Sequence, residues 1–326
     1  MFRKPKLELE HYGTKPLRKE DWVSRGVKFE PTGEEYDLAV SLVTYNTANS
    51  LKDVAEYLET TAPDIKKKYI FVNSGSIDHS AELLPLLPFD KVVVSHTYDE
   101  AIEHRYSLAS ALNDAFAIAH KLGIKYLLVH DIDAYVEEEG LYQMFNVLKK
   151  APKDVIAVTC PPTGGYEHRV EGRKDEATVL SWGSGWTAAI TKVEEHIKHW
   201  GWWSEALMPC LGIDSDLNRR INETPYKRLM DKNYFHDHYG NIGLKTTAQI
   251  GGIPVDRPDG IGWEDAYRRI WGGPTGKEKF QYPLNRQDCL RGVSYNFTPI
   301  QDNRIYRRVD SYNLEGVPKL CLPTEA

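Results

Sequence analysis

Between residues 37 and 160, short β-branched apolar runs alternate with amphipathic stretches of about a dozen residues. This alternation limits the possible folds more than any other feature of the chain. LAVSLVT precedes SLKDVAEYLETTA, KKYIFV precedes HSAELLPLL, and KVVVSH precedes a long helical pattern over 103–122. KYLLVH then precedes EGLYQMFNVLKKA, and DVIAVTC follows. Strands that are apolar on both faces need cover on both faces, so the pattern predicts βα units around a buried, mostly parallel sheet. Ligands of such sheets sit beyond the carboxyl ends of the strands. Here those ends carry Thr44-Tyr45-Asn46, Asn73-Ser74-Gly75-Ser76 and Asp131-Ile132-Asp133, three polar clusters on one predicted edge.

The rest of the chain reads differently. Residues 1–35 are polar and broken by Pro5, Pro16 and Pro31, which predicts an N-terminal arm. Residues 36–160 form the first half of the α/β domain and 161–255 the second, with a Gly-rich charged loop at its start. A strand-like run over 178–190 leads to a helix near 191–200, and DSDLNRRINE predicts another from Asp214. Residues 256–326, rich in Gly, Pro, Tyr and Arg, read as an irregular C-terminal extension.

Composition removes several classes of function. The 326 residues carry a net charge of −6, and residues 36–255 hold 22 Lys and Arg against 30 Asp and Glu. That balance argues against general nucleic-acid binding. Cys160, Cys210, Cys289 and Cys321 are widely spaced and form no CxxC, so neither a zinc site nor a disulfide framework is expected. No apolar run approaches the roughly 18 residues of a membrane span. MFRKPKLELEHYG has basic residues without a hydrophobic stretch behind them, so it does not read as a signal peptide. A cytoplasmic protein without integral membrane contact is the expectation.

A strand such as KYLLVH that ends in two carboxylates cannot bury them as core; they must be solvated, paired or metal-bound. Asp214 at a helix start has a plain structural reading as an N-cap, with Asp216 favouring the helix dipole. Trp182, Trp186, Trp200, Trp202 and Trp203 can stack on rings, although core packing is the commoner fate of tryptophan.

Taken in order, Val43-Thr44-Tyr45-Asn46, Val72-Asn73-Ser74-Gly75-Ser76-Ile77-Asp78, Asn113 and His130-Asp131-Ile132-Asp133 resemble family 2 glycosyltransferases of the GT-A fold. Gly183-Ser184-Gly185, the stretch Trp200 to Glu205, and Ile213-Asp214-Ser215-Asp216-Leu217 with Arg219 and Arg220 extend the resemblance. So do His236-Asp237-His238 and Arg269-Ile270-Trp271-Gly272-Gly273-Pro274, so that it covers roughly residues 37–285. Two positions depart from the family pattern: Asn73 stands for the usual Asp, and Ile213 for the usual Glu.

The resemblance implies a metal-dependent inverting transferase that moves a sugar from a nucleoside-diphosphate sugar, UDP first, to a hydroxyl acceptor such as a glycan or a modified nucleic-acid base. It assigns Thr44, Tyr45, Asn46, Asn73, Ser74, Asp78, Asn113, Asp131 and Trp271 to the nucleotide sugar, with Arg269 and Gly272 toward the diphosphate and a buried anchor of the C-terminal segment as the other reading of Trp271. Asp133 becomes the leading ligand for Mn²⁺ or Mg²⁺, completed by His238 or His236, and Asp214 the general base. Trp186 and Trp203 fall to the acceptor side. At residue 73 an Asp would accept the N3–H of uracil, whereas Asn offers both an acceptor and a donor, which loosens the identity of the base. Two other readings stay open: a nucleotidyltransferase on a similar sheet, and an inactive sugar- or partner-binding module.

Overall fold

The computed structural model describes residues 26–96, 108–161, 178–179, 186–203, 212–222, 224–231, 234, 236–238, 297–299 and 305–308. The first strands are β1 (Leu38–Thr44), β2 (Lys67–Ser74), β3 (Lys91–His96), β4 (Tyr126–His130) and β5 (Ala134–Val136). They are followed by β6 (Val155–Thr159), β7 (Thr178–Val179), β8 (Ala188–Lys192), β9 (Lys227–Met230) and β10 (His236–His238). Two short strands, β11 (Phe297–Pro299) and β12 (Ile305–Arg308), lie in the predicted C-terminal extension. The helices are α1 (Ala48–Thr60), α2 (Ser80–Leu83), α3 (Leu108–Lys121), α4 (Glu138–Lys150), α5 (Val193–His199) and α6 (Ile213–Asn222).

The sheet runs in the order β11-β12-β3-β2-β1-β4-β8-β6-β9-β7, and β5 with β10 forms a separate two-stranded ribbon. Strands β12, β3, β2, β1 and β4 are parallel. β8 runs antiparallel between β4 and β6, and β9 is parallel to β6. This is the α/β architecture with a mostly parallel sheet that the alternation predicts. Two details differ from the sequence reading. The helix expected over HSAELLPLL stops after one turn and continues as a 3₁₀ turn at Leu84–Leu86, because Pro85 lacks the N–H that an α-helix would use. The C-terminal extension contributes β12 beside β3, which pairs an edge that would otherwise be bare.

Strand periodicity sorts the core. Leu38, Val40, Leu42, Tyr69 and Phe71 pack on one face with residues of α1 and α4. Ala39, Ile70 and Val72 pack on the other with Phe116 of α3, Val193 of α5 and Leu217 of α6. Residues 26–31 of the predicted N-terminal arm lie along α4. Phe29 packs on Tyr142 and Phe145 at centroid distances of 5.7 and 5.2 Å. Asn146 accepts the Glu30 N–H and donates to the Lys28 carbonyl.

At the amino end of β2, away from the polar edge, Lys67 is buried with its Nζ donating to the Ala62 carbonyl at 2.5 Å. Burial lowers its pKa to about 8, and Glu59, Asp64 and Glu138 offset that only in part. Between pH 8 and 10.5 the unfolded chain therefore holds a proton at this lysine that the folded chain has released, so stability rises with pH across that window. Urea unfolding of the wild type and Lys67→Met from pH 7 to 10 checks this. The wild type should gain on the variant as pH rises; a pH-independent difference contradicts it.

Candidate active site

Because β1, β2, β3 and β4 are parallel, their carboxyl ends share one edge. β8 is antiparallel, so its first residue, Ala188, faces His130 at that same edge. The turns leaving β1 and β2 are tied together by side chains. Asn46 takes a left-handed backbone (φ 54°), a conformation that Asn tolerates better than most residues. Its Oδ1 accepts the Ile77 N–H at 2.8 Å, and its own N–H donates to Ser76 Oγ at 2.9 Å.

Asp78 binds two backbone amides, that of Ala48 at the start of α1 (2.9 Å) and that of Ser80 at the start of α2 (2.8 Å). Its carboxylate thus supplies the acceptor that neither helix finds in its own N-cap side chain. The Asn73 carboxamide accepts the Ser76 N–H and donates to Ser95 and to the His96 carbonyl. Asn46, Asn73 and Asp78, all expected around the nucleoside, therefore build the edge itself. Thr44 donates to the Val72 carbonyl at 3.4 Å, and Tyr45 is half-buried. Ser74 is buried at the end of β2, and its hydroxyl has no hydrogen-bond partner among the described residues.

Asp131 leaves β4 with its N–H donating to the Thr187 carbonyl at 2.9 Å, just ahead of β8. Its carbonyl lies 2.8 Å from His130 Nδ1 and accepts the Ala134 N–H, which closes a tight turn around Ile132 and Asp133. Asp133 is buried within this turn. The ribbon begins one residue later, with Ala134 opposite His238 and Val136 opposite His236. This register brings the predicted histidine motif beside the Asp131–Asp133 turn. His236 is buried with Nδ1 3.0 Å from the Cys160 carbonyl, while the His238 side chain lies outside the described residues. Burial raises the pKa of the Cys160 thiol, keeping it protonated. Among the described residues no three His, Cys, Asp or Glu side chains group as a metal site.

Asp214 occupies the first turn of α6, half-buried, and its Oδ2 accepts the Trp186 N–H at 3.3 Å. Trp186 is the residue before Thr187. Asp131 and Asp214 are therefore each hydrogen-bonded to one of two consecutive residues at the head of β8. Asp216, also in the first turn of α6, is buried and salt-bridged to Arg220 at 2.7 Å, an internal role that separates it from Asp214.

Trp186 and Trp203 are each 2% exposed, so neither offers an open ring to an acceptor. They pack edge to face at 5.4 Å around His196, and Arg228 lies 4.7 Å from the Trp186 ring. Burial holds His196 well below its ordinary pKa, with Arg220 and Arg228 adding to the shift. Asn113, expected at the nucleotide sugar, grips the Trp203 backbone, accepting its N–H at 2.8 Å and donating to its carbonyl at 3.0 Å. Arg269, Trp271 and Gly272 lie outside the described residues.

The sequence reading missed Ser95, His96 and Asp114, which support the Asn73 end of this edge. No spacing marks them, because their partners are distant in sequence.

No curated protein matches the sequence. Similar solved structures include S. aureus TarS 1-349, at 14% identity and TM-score 0.47 over 61% of this chain and 60% of that one. The mannosyltransferase PcManGT from Pyrobaculum calidifontis, in complex with GDP-Man and Mn²⁺, aligns at 21% identity and TM-score 0.48 over 69% and 63%. GalNAc-T7 with UDP, GalNAc and Mn²⁺ aligns at 13% identity and TM-score 0.46 over 63% and 44%. The chain thus spans less than two thirds of the length of each. Residues 40–204, half of the chain, match the family model described as Glycosyl transferase family 2. The chain belongs to that family.

Proposed function

We propose that this glycosyltransferase is an inverting, divalent-metal-dependent enzyme. It moves a sugar from a nucleoside-diphosphate sugar, with UDP the first donor to try, to the hydroxyl of an acceptor. The observation that carries this reading is the pair of hydrogen bonds at the head of β8, Asp131 N–H to Thr187 and Trp186 N–H to Asp214. They bracket one short segment between the Asp131–Asp133 turn and the start of α6, which supports a reading with both carboxylate groups at one site. The nucleoside then lies over the ends of β1 and β2, near the buried Ser74 hydroxyl, which has no hydrogen-bond partner among the described residues.

The donor set fits a hard cation. Asp133, with Asp131 beside it, supplies carboxylate oxygens, and a small divalent ion needs only one or two of these when substrate phosphates fill its remaining positions. His238 or His236 would complete the site from the ribbon. When bound, Mn²⁺ or Mg²⁺ offsets the charge that develops on the departing diphosphate. Asp214 takes the proton from the acceptor hydroxyl on the opposite side of the sugar, and its bond from Trp186 orients the carboxylate for that task. A nucleotidyltransferase on the same sheet is disfavoured, because the Asp78 carboxylate already occupies the start of α1, where a phosphate-binding loop would place its anion.

Two measurements test the reading. In UDP-sugar hydrolysis assays with Mn²⁺, Asp133→Ala should lose metal-dependent turnover while keeping the wild-type melting temperature. Full activity of that variant in EDTA removes the metal from the account. Asp214→Asn is nearly isosteric, and its Oδ1 can still accept the Trp186 N–H. It should therefore keep nucleotide binding and stability while kcat falls by roughly 10²–10⁴-fold. Near-wild-type turnover removes Asp214 from the mechanism, and a product of retained anomeric configuration removes inversion.

A further inference from the structure

Asn73 stands where the family pattern has Asp, and its surroundings account for the exchange. The residue is fully buried. Its Oδ1 accepts the Ser76 N–H at 3.1 Å, while Nδ2 donates to Ser95 Oγ at 3.0 Å and to the His96 carbonyl at 3.2 Å. Both amide hydrogens are therefore spent inside the protein. Ser95 and His96 are the β3 residues that pair in register with Asn73 and Ser74, so the side chain reinforces the last rung of the β2–β3 ladder. An aspartate has no hydrogen to donate at neutral pH and would set a carboxylate oxygen against the His96 carbonyl. His96 itself is held in the β2–β3 ladder, in register with Ser74.

We propose that Asn73 is a positioning residue. It ties the end of β2 to the end of β3 and shapes the 74–76 turn, and the donor base is not selected through its side chain. The second half of this statement rests on the reading that a nucleotide binds at this edge. The family's Asp-for-base arrangement has been exchanged here for a clamp that only a carboxamide can make, and Asn73 keeps the turn that carries the Ser74 hydroxyl in place.

The test uses Asn73→Asp, with Ser95→Ala as a second variant that removes one acceptor of the clamp and leaves residue 73 intact. Melting temperatures are measured from pH 4.5 to 7.5, and UDP and CDP affinities by calorimetry at pH 7.5. A buried carboxylate facing a carbonyl titrates above its usual value of about 4, and once protonated it can donate again. The melting deficit of Asn73→Asp should therefore be largest at pH 7.5 and shrink as pH falls. His96 on β3 and Asp114 on α3 are the titratable groups beside this clamp, and Ser95→Ala, which adds no ionisable group, reads any pH dependence of their own. UDP and CDP should weaken by the same factor, about tenfold for the loss of one to two kcal/mol of preorganisation. Their ratio stays at the wild-type value in both variants.

A deficit that does not change with pH overturns the clamp. A UDP-to-CDP ratio that shifts more than about threefold in either variant overturns the claim about base selection. Should the wild type bind neither nucleotide, the nucleotide reading fails and the base-selection claim with it, while the melting series still decides the clamp.

Discussion

Parallel pairing of β1 through β4 is the constraint on which the remainder of the structure depends. A sheet covered on both faces leaves its chemistry nowhere to go but the strand ends, and parallel strands send all of their carboxyl ends to one edge. The antiparallel β8 completes the arrangement, because its start rather than its end reaches that edge. Residues separated by more than 80 positions, such as Asp131 and Asp214, thereby bind neighbouring peptides at the head of a single strand.

Most of the polar side chains at this edge spend their hydrogen bonds on the protein itself. Buried turns carry backbone N–H and C=O groups that need partners. Asn46, Asn73, Asp78 and Asn113 supply them to Ile77, Ser76, Ala48 and Trp203 in turn. The result is a rim whose turns are held by side chains of the rim itself. The tryptophans follow the same logic. Trp186 and Trp203 form a buried aromatic group with His196 that fixes the segment carrying the Asp214 partner, instead of presenting open stacking faces.

Much of this was legible in the sequence. The two periodicities predicted the strands and helices, and the run ends predicted which residues share an edge, since both depend on local pattern alone. Trp186 and Asn113 show where local reading stops. Nothing in their neighbourhoods says that one indole meets Asn218 or that one carboxamide meets Trp203 some 90 residues away. Asn73 lies between these cases: the departure from Asp was visible, but its reason is the His96 carbonyl on the adjacent strand. The helix at 80–83 was shortened by Pro85, a signal present in the sequence and outweighed by apolar periodicity.

The central claim is that the Asp131–Asp133 turn and Asp214 border one nucleotide-sugar site. Crystals grown with UDP and Mn²⁺, mapped by anomalous scattering from the metal, test it most directly. The account predicts a single anomalous peak within coordination distance of Asp133, about 2.2 Å, with the uridine over the ends of β1 and β2 and the diphosphate on the Asp214 side of the metal. A nucleotide bound away from the carboxyl ends of the strands, or a metal peak remote from Asp131 and Asp133, would contradict it.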